Sequence, residues 1–249
     1  MKRTHAVLAS TLFLSGLALA SPAVAQNQTA QSLTVSGGAT LVSDYRFRGV
    51  SQTGRRFALQ GTFGIAHESG FYATVWGSSI DDYVANGSDV EIDLIAGYAR
   101  DFGGITVDVG ATYYAYPGSG GADTDFIEPY MAVSRGFGAV SATLLAAYAP
   151  RQDALGIGAG AEDNFYLAGD LSAAVPGTPI LLTGHLGHSW GPSYLTIGEE
   201  YTDWSLGISA EHKGLTFGLS YVDTDKSAFS PSGRNISKAG IFGSVGVGF

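Results

Sequence analysis

From Leu33 onward, apolar and polar residues change places at every second position, in short stretches separated by polar or glycine-rich segments. The clearest stretch opens at Val90, where Val90, Ile92, Leu94, Ala96 and Tyr98 alternate with Glu91, Asp93 and Gly97. Beyond Asp101–Gly104 the pattern resumes, with Ile105, Val107, Val109 and Ala111 set against Thr106, Asp108, Gly110 and Thr112. A period of two is that of a β-strand whose two faces meet different surroundings. The last nine residues, Ile241–Phe249, close the chain in the same way: Ile241, Val245, Val247 and Phe249 share one parity, Phe242, Ser244, Gly246 and Gly248 the other. Chain ends of soluble proteins are more often frayed and polar.

Twelve such segments are predicted. They are Leu33–Tyr45, Phe57–Ala66, Phe71–Ser79, two opening at Val90 and Ile105, Phe126–Arg135, Ala139–Tyr148, Asn164–Val175, Ile180–Trp190, Tyr201–His212, Leu215–Thr224 and Ile241–Phe249. The facing of Phe71–Ser79 is open, because Phe71, Ala73 and Val75 compete with Tyr72 and Trp76. Pro129 removes a ladder hydrogen bond and predicts an irregularity in the sixth segment. The connections alternate between short turns and long polar loops such as Arg46–Arg56, Ile80–Asp89 and Asp225–Asn235. That sorting predicts a transmembrane antiparallel up-and-down β-barrel of about twelve strands, with short periplasmic turns and long external loops. A soluble sandwich shares the alternation within strands but has no reason to sort its loops.

The aromatics sort with the loops. Trp76, Tyr113, Tyr114, Tyr148, Phe165, Trp190, Trp204 and Tyr221 fall near the long-loop ends; Phe71, Tyr72, Phe102, Phe137 and Phe249 fall near the short-turn ends. Two such girdles are expected where a barrel crosses the two water–lipid boundaries.

The first residues have a different pattern. Lys2 and Arg3 precede an apolar run, Ala6–Ala20, and an Ala23-Val24-Ala25 cleavage signal, so residues 1–25 read as a secretory signal peptide and 26–249 as a single barrel domain. The expected destination is the outer membrane of a Gram-negative bacterium, reached through the periplasm. Without Lys2 and Arg3, eleven basic residues stand against 22 acidic ones, a net charge of −11. A nucleic-acid partner is therefore not expected. With no cysteine in the chain, disulfides, thiolate metal sites and thiol nucleophiles are excluded. The 36 glycines, 13 tyrosines and 13 phenylalanines, with only 14% charged residues, depart from soluble composition in the direction of a barrel.

Candidate chemistry is sparse. His185 and His188 are three apart and so point to opposite faces of a strand, which argues against a shared metal. Asp81, Asp82 and His188 are the residues from which an outer-membrane hydrolase would have to be assembled, with no second element in support. No loop has the ligand spacing of a calcium site, and no glycine-rich loop precedes a helix, so no cofactor is expected. The inward parity is mostly Thr, Ser and Gly, with Glu91, Asp93, Asp108, Glu128, Asp170, His185, Glu211 and Lys238 as its ionisable groups. Carboxylates inside a barrel need water or cations. Either a narrow channel that disfavours anions or a barrel shut by a polar network satisfies that need; the many small inward residues favour the channel.

Ser43-Asp44-Tyr45-Arg46-Phe47-Arg48-Gly49-Val50-Ser51-Gln52-Thr53, together with the run His67–Ser79, resembles the opening of the TorF family of proteobacterial outer-membrane porins. The resemblance implies a pore role for small hydrophilic solutes and brings no catalytic residues. Arg46, Arg48, Arg55 and Arg56 form a basic cluster in the first external loop, available to acidic groups of the protein or to lipopolysaccharide phosphates. A closing strand that ends on Phe249 is the element the outer-membrane assembly machinery is expected to engage.

Overall fold

A computed structural model describes residues 32–158, 160–196 and 198–249; the expected signal peptide lies outside them. The strands are β1 (Leu33–Val42), β2 (Arg46–Phe47), β3 (Val50–Ser51), β4 (Ala58–His67), β5 (Phe71–Ser79), β6 (Val90–Asp101) and β7 (Ile105–Ala115). They continue as β8 (Phe126–Phe137), β9 (Val140–Gln152), β10 (Glu162–Ala174), β11 (Ile180–Trp190), β12 (Tyr201–His212), β13 (Leu215–Thr224) and β14 (Gly240–Gly248). Twelve of them form one closed antiparallel barrel in which each strand pairs with its sequence neighbours; β2 and β3 form a separate two-stranded hairpin.

Closure is made between β1 and β14, in register from Gly38↔Gly248 to Val42↔Ser244. Phe249 extends the seam, exchanging backbone hydrogen bonds of 2.9 and 3.1 Å with Gly37. A Cβ on Gly37 would sit 2.6 Å from the Phe249 ring, so the glycine makes the place where the terminal aromatic lies against the outer face. The barrel sheet is thereby left without an edge for another strand to pair with.

The outer face is apolar. Leu59, Phe63, Leu94, Leu144, Leu171, Leu186, Leu206 and Ile241 are all exposed, on the parity opposite to the buried polar groups. Each such side chain gains about 1.5–3 kcal/mol on leaving water, so a belt of this extent requires lipid rather than solvent around it. Among the described residues no helix is long and apolar enough to cross a membrane; the strands do so. Tyr113, Tyr148, Phe165, Trp190 and Tyr221 are exposed toward the long loops, and Phe71, Phe102, Phe137 and Phe249 toward the short turns.

Local facing and pairing follow from the same register. In β5, Phe71, Ala73 and Val75 face lipid while Tyr72, Thr74 and Trp76 face in. Tyr72, Trp76 and Tyr114 therefore leave the girdles: Trp76 packs edge-on against Tyr45 at 5.4 Å, and Tyr114 is buried. Pro129 causes no slip against β7, where Ala111↔Pro129 keeps register. Its effect falls on the other side, where pairing with β9 begins only at Tyr130↔Ala147. The Gln152 side chain covers the gap, accepting from the Ile127 amide at 2.8 Å and donating to the Ile127 carbonyl at 3.0 Å.

Candidate functional site

The first long connection does not stay outside. The β2–β3 hairpin reverses through Arg48 (φ 46) and Gly49 (φ 82), two left-handed residues between the pair Phe47↔Val50. That is a two-residue turn whose twist suits antiparallel strands. Arg48 adopts it at a cost of about 1–3 kcal/mol, so something must hold it there. Asp44 organises the base of the hairpin: Arg46 Nε donates to Asp44 Oδ2 at 2.6 Å, and Ser51 Oγ to Asp44 Oδ1 at 2.6 Å. Arg46 Nη1 also donates to the Gly49 carbonyl at 2.9 Å.

The tip crosses the lumen. Arg48 Nη2 lies 2.7 Å from both oxygens of Glu128 on β8, and Nη1 lies 3.0 Å from Asn164 Oδ1 on β10. The guanidinium lies 4.0 Å from the centre of the Tyr166 ring, and Tyr114 donates to Glu128 Oε2 at 3.2 Å. Burial works against the charge of Arg48, but the Glu128 carboxylate outweighs it and holds the guanidinium above its ordinary range. Gly49 touches the far wall, where a Cβ would stand 3.0 Å from that of Asp203 and closer still to Thr224.

Above the hairpin the external loops are tied together. The Gly54 amide donates to Tyr83 Oη at 3.1 Å, Tyr194 Oη to the Val84 carbonyl at 2.6 Å, Ser88 Oγ to the Pro117 carbonyl at 2.6 Å, and Arg234 Nη1 to the Gly54 carbonyl at 2.7 Å. They enclose an outer vestibule of about 1070 Å³.

Below it the lumen has two unlike walls. From β5 to β10 the inward groups are large. Tyr72 Oη donates to Asp108 at 2.8 Å and shares a hydrogen bond with Tyr130. These rings lie along the wall: a Cβ on Gly97 would be 2.5 Å from Tyr72 Oη, and one on Gly110 2.5 Å from Tyr130 Oη. From β11 through β14 to β1 most inward groups are small, among them Thr183, Ser205, Ser209, Ser220 and Thr40, all only partly covered, although Phe242 is buried opposite Ser220 and Tyr201 and Val222 are buried near the long-loop ends. Where the walls meet, His185 stands between two carboxylates, Nδ1 2.7 Å from Asp170 and Nε2 3.0 Å from Asp203.

Of the ionisable groups assigned to the lumen from sequence, Glu91, Asp93, Asp108 and Glu128 are buried on the inward parity, with Asp170 and His185 half-buried beside them. Glu211 keeps that parity but is exposed at the short-turn end of β12. Lys238 is corrected: it is exposed in the segment before β14 and lies on no strand. Arg46 and Arg48 are corrected too, being buried inside the barrel, whereas Arg56 stays exposed and pairs with Asp81 at 2.6 Å. Arg55, with a left-handed φ of 64, is exposed above the hairpin. Asp203 and Asn164 were missed; the parity of β10 and β12 marks both. His188 faces outward with Leu186 and Trp190, its ring 4.4 Å from that of Trp190, so it joins neither Asp81 nor Asp82. Among the described residues no three His, Asp or Glu side chains are arranged to hold a metal.

A closed twelve-strand barrel with an apolar belt, aromatic girdles and a polar interior has the architecture of an outer-membrane barrel. The chain belongs to the Gcw_chp family, described as a bacterial protein of unknown function, whose model matches residues 26–241. No curated protein matches it. Among solved structures it is similar to the KdgM porin in complex with disordered oligogalacturonate, at 10% identity and a TM-score of 0.56 over 87% of this chain and 98% of that one. It is also similar to the COG4313 outer membrane channel from Pseudomonas putida F1, at 11% identity and a TM-score of 0.50 over 90% and 97%.

Proposed function

We propose that the protein is a narrow outer-membrane channel for small hydrophilic solutes, leaning toward cations, with the β2–β3 hairpin as its constriction. The observation that carries this reading is the asymmetry of the lumen. The phenols of Tyr72, Tyr130 and Tyr166 lie flat against glycines, and the wall from β11 to β1 beside them is mostly Ser, Thr and Gly, with Tyr201, Val222 and Phe242 toward its outer end. Seven inward carboxylates, Asp44, Glu91, Asp93, Asp108, Glu128, Asp170 and Asp203, face Arg46, Arg48 and His185. Excess negative charge in a narrow aqueous path favours cations. A polyanion of the oligogalacturonate kind is poorly suited to such a lining.

The TorF resemblance of Ser43–Thr53 supports the same reading, because it is this segment that folds into the barrel. The exposure of Arg55 and of Arg56, the latter paired with Asp81, supports a contact of this basic cluster with lipopolysaccharide phosphates. Phe249, 75% exposed at the seam, is a handle for the assembly machinery.

A second reading, a barrel shut by its first loop and acting through its surface, draws on the reach of Arg48 across the lumen to Glu128. Swelling of liposomes that carry the purified barrel separates the two. Entry of small polyols and amino acids, with exclusion of an oligosaccharide, supports the channel. Exclusion of every solute supports the closed barrel.

A further inference from the structure

The outer vestibule has a composition the channel reading does not use. All six long connections contribute to its wall, and their mutual hydrogen bonds form it in advance of any ligand. Its volume of about 1070 Å³ is at the upper end for a small-molecule site. Phe47, Tyr83, Tyr116 and Tyr194 supply ring surface. Asp82, Asp123 and Asp153 supply carboxylates beyond the Arg56–Asp81 pair, and Arg234 is the one basic group set against them among the described lining residues.

The deepest acid of the lining is Glu91. It is buried, its Oε1 accepts from Tyr45 Oη at 3.3 Å, and it lines the cavity from the outer end of β6. Asp93 follows it on the same inward parity, fully buried, its carboxyl against that of Glu91 and with no donor from any other residue. Among the described residues neither Glu91 nor Asp93 has an ion-pair partner. Two adjacent buried carboxyl groups without a counter-ion are costly unless a cation or a proton joins them. Aromatic faces above such a pair suit a cation that carries an apolar body.

We propose that the vestibule is a binding site for a small organic cation, with an ammonium or guanidinium head on Glu91 and an apolar or aromatic body against the tyrosines. This deepens the channel reading by naming a solute class, and rests on it only for what happens after binding. Arg48, already on Glu128, sits one layer below and leaves Glu91 to the ligand.

Calorimetric titration of the intact barrel in detergent micelles with benzylamine, benzyl alcohol and benzoate tests the site. Benzylamine is expected to bind saturably, benzyl alcohol at least about tenfold more weakly, and benzoate not at all. Glu91→Gln, which keeps an acceptor for Tyr45, is expected to weaken benzylamine by about tenfold or more. Asp153→Asn, at an exposed position of the lining, is expected to weaken it by about two- to threefold. No binding of benzylamine, equal binding of amine and alcohol, or an unchanged affinity in Glu91→Gln would each overturn the proposal. Swelling and conductance are separate readouts, so a channel without the site and a site without a channel give different results.

Discussion

Arg48 and Glu128 meet across the interior of the barrel, Nη2 2.7 Å from both carboxylate oxygens, with both side chains buried. One partner comes from a turn in the first long connection and the other from the wall at β8. The pair therefore ties the hairpin to the barrel wall, together with the 3.0 Å bond from Arg48 Nη1 to Asn164, and helps to set how firmly the hairpin is seated.

Removing one partner is expected to cost more than removing both. Arg48→Met leaves Glu128 buried without its cation, a loss of about 3–5 kcal/mol. The double variant Arg48→Met/Glu128→Leu is expected to recover most of it. Urea unfolding followed by tryptophan fluorescence supplies the double-mutant cycle; additive losses would show that the two side chains do not act as a pair.

The flat-lying tyrosines depend on the glycines beneath them. Gly110→Ala places a methyl 2.5 Å from Tyr130 Oη and 2.7 Å from the Ala96 carbonyl. A destabilisation of about 1–3 kcal/mol is expected, partly relieved by Tyr130→Phe, together with slower liposome swelling as the ring turns inward. Unchanged stability and swelling would mean the wall has slack that the geometry does not show.

Alkaline titration reports on the external tie points. Burial, the largest cause, raises the phenols of Tyr45, Tyr83, Tyr116 and Tyr194 above their ordinary value of 10.0. A raised value means the folded protein holds these protons more tightly than the unfolded chain. Their contribution to stability is thus complete below about pH 10 and is lost as pH rises through the folded values. Tyrosinate absorbance is expected in two steps, the exposed phenols first and the buried ones with unfolding. A single step near pH 10 would contradict the burial.

The strands and their facing were largely legible in the sequence, because a period of two is a local property imposed directly by two different solvents. Val90–Tyr98 and Ile241–Phe249 show this best. The position of the hairpin was not legible. Asp44, Arg46, Arg48 and Ser51 read as an ordinary polar loop, and nothing local records that Arg48 meets Glu128 and Asn164, far along the chain. Trp76 and Tyr114 misled for a related reason: an aromatic near a strand end suits a girdle or a plug equally, and only its cross-barrel neighbours decide. Lys238 was assigned by extending the closing strand's parity past the Gly240 at which pairing begins. Asp203 needed only the parity already applied to Glu211.

The most direct test of the central claim is conductance of the purified barrel in a planar bilayer under a salt gradient, compared with Gly49→Ala. The substitution leaves every charge in place but cannot be accommodated at φ 82 against Asp203 and Thr224, so it unseats the hairpin tip. The channel reading predicts a steady conductance above the empty-bilayer level, a zero-current potential of cation-selective sign, and a larger conductance in the variant. Baseline current from both proteins, or a current that the variant leaves unchanged, would contradict it.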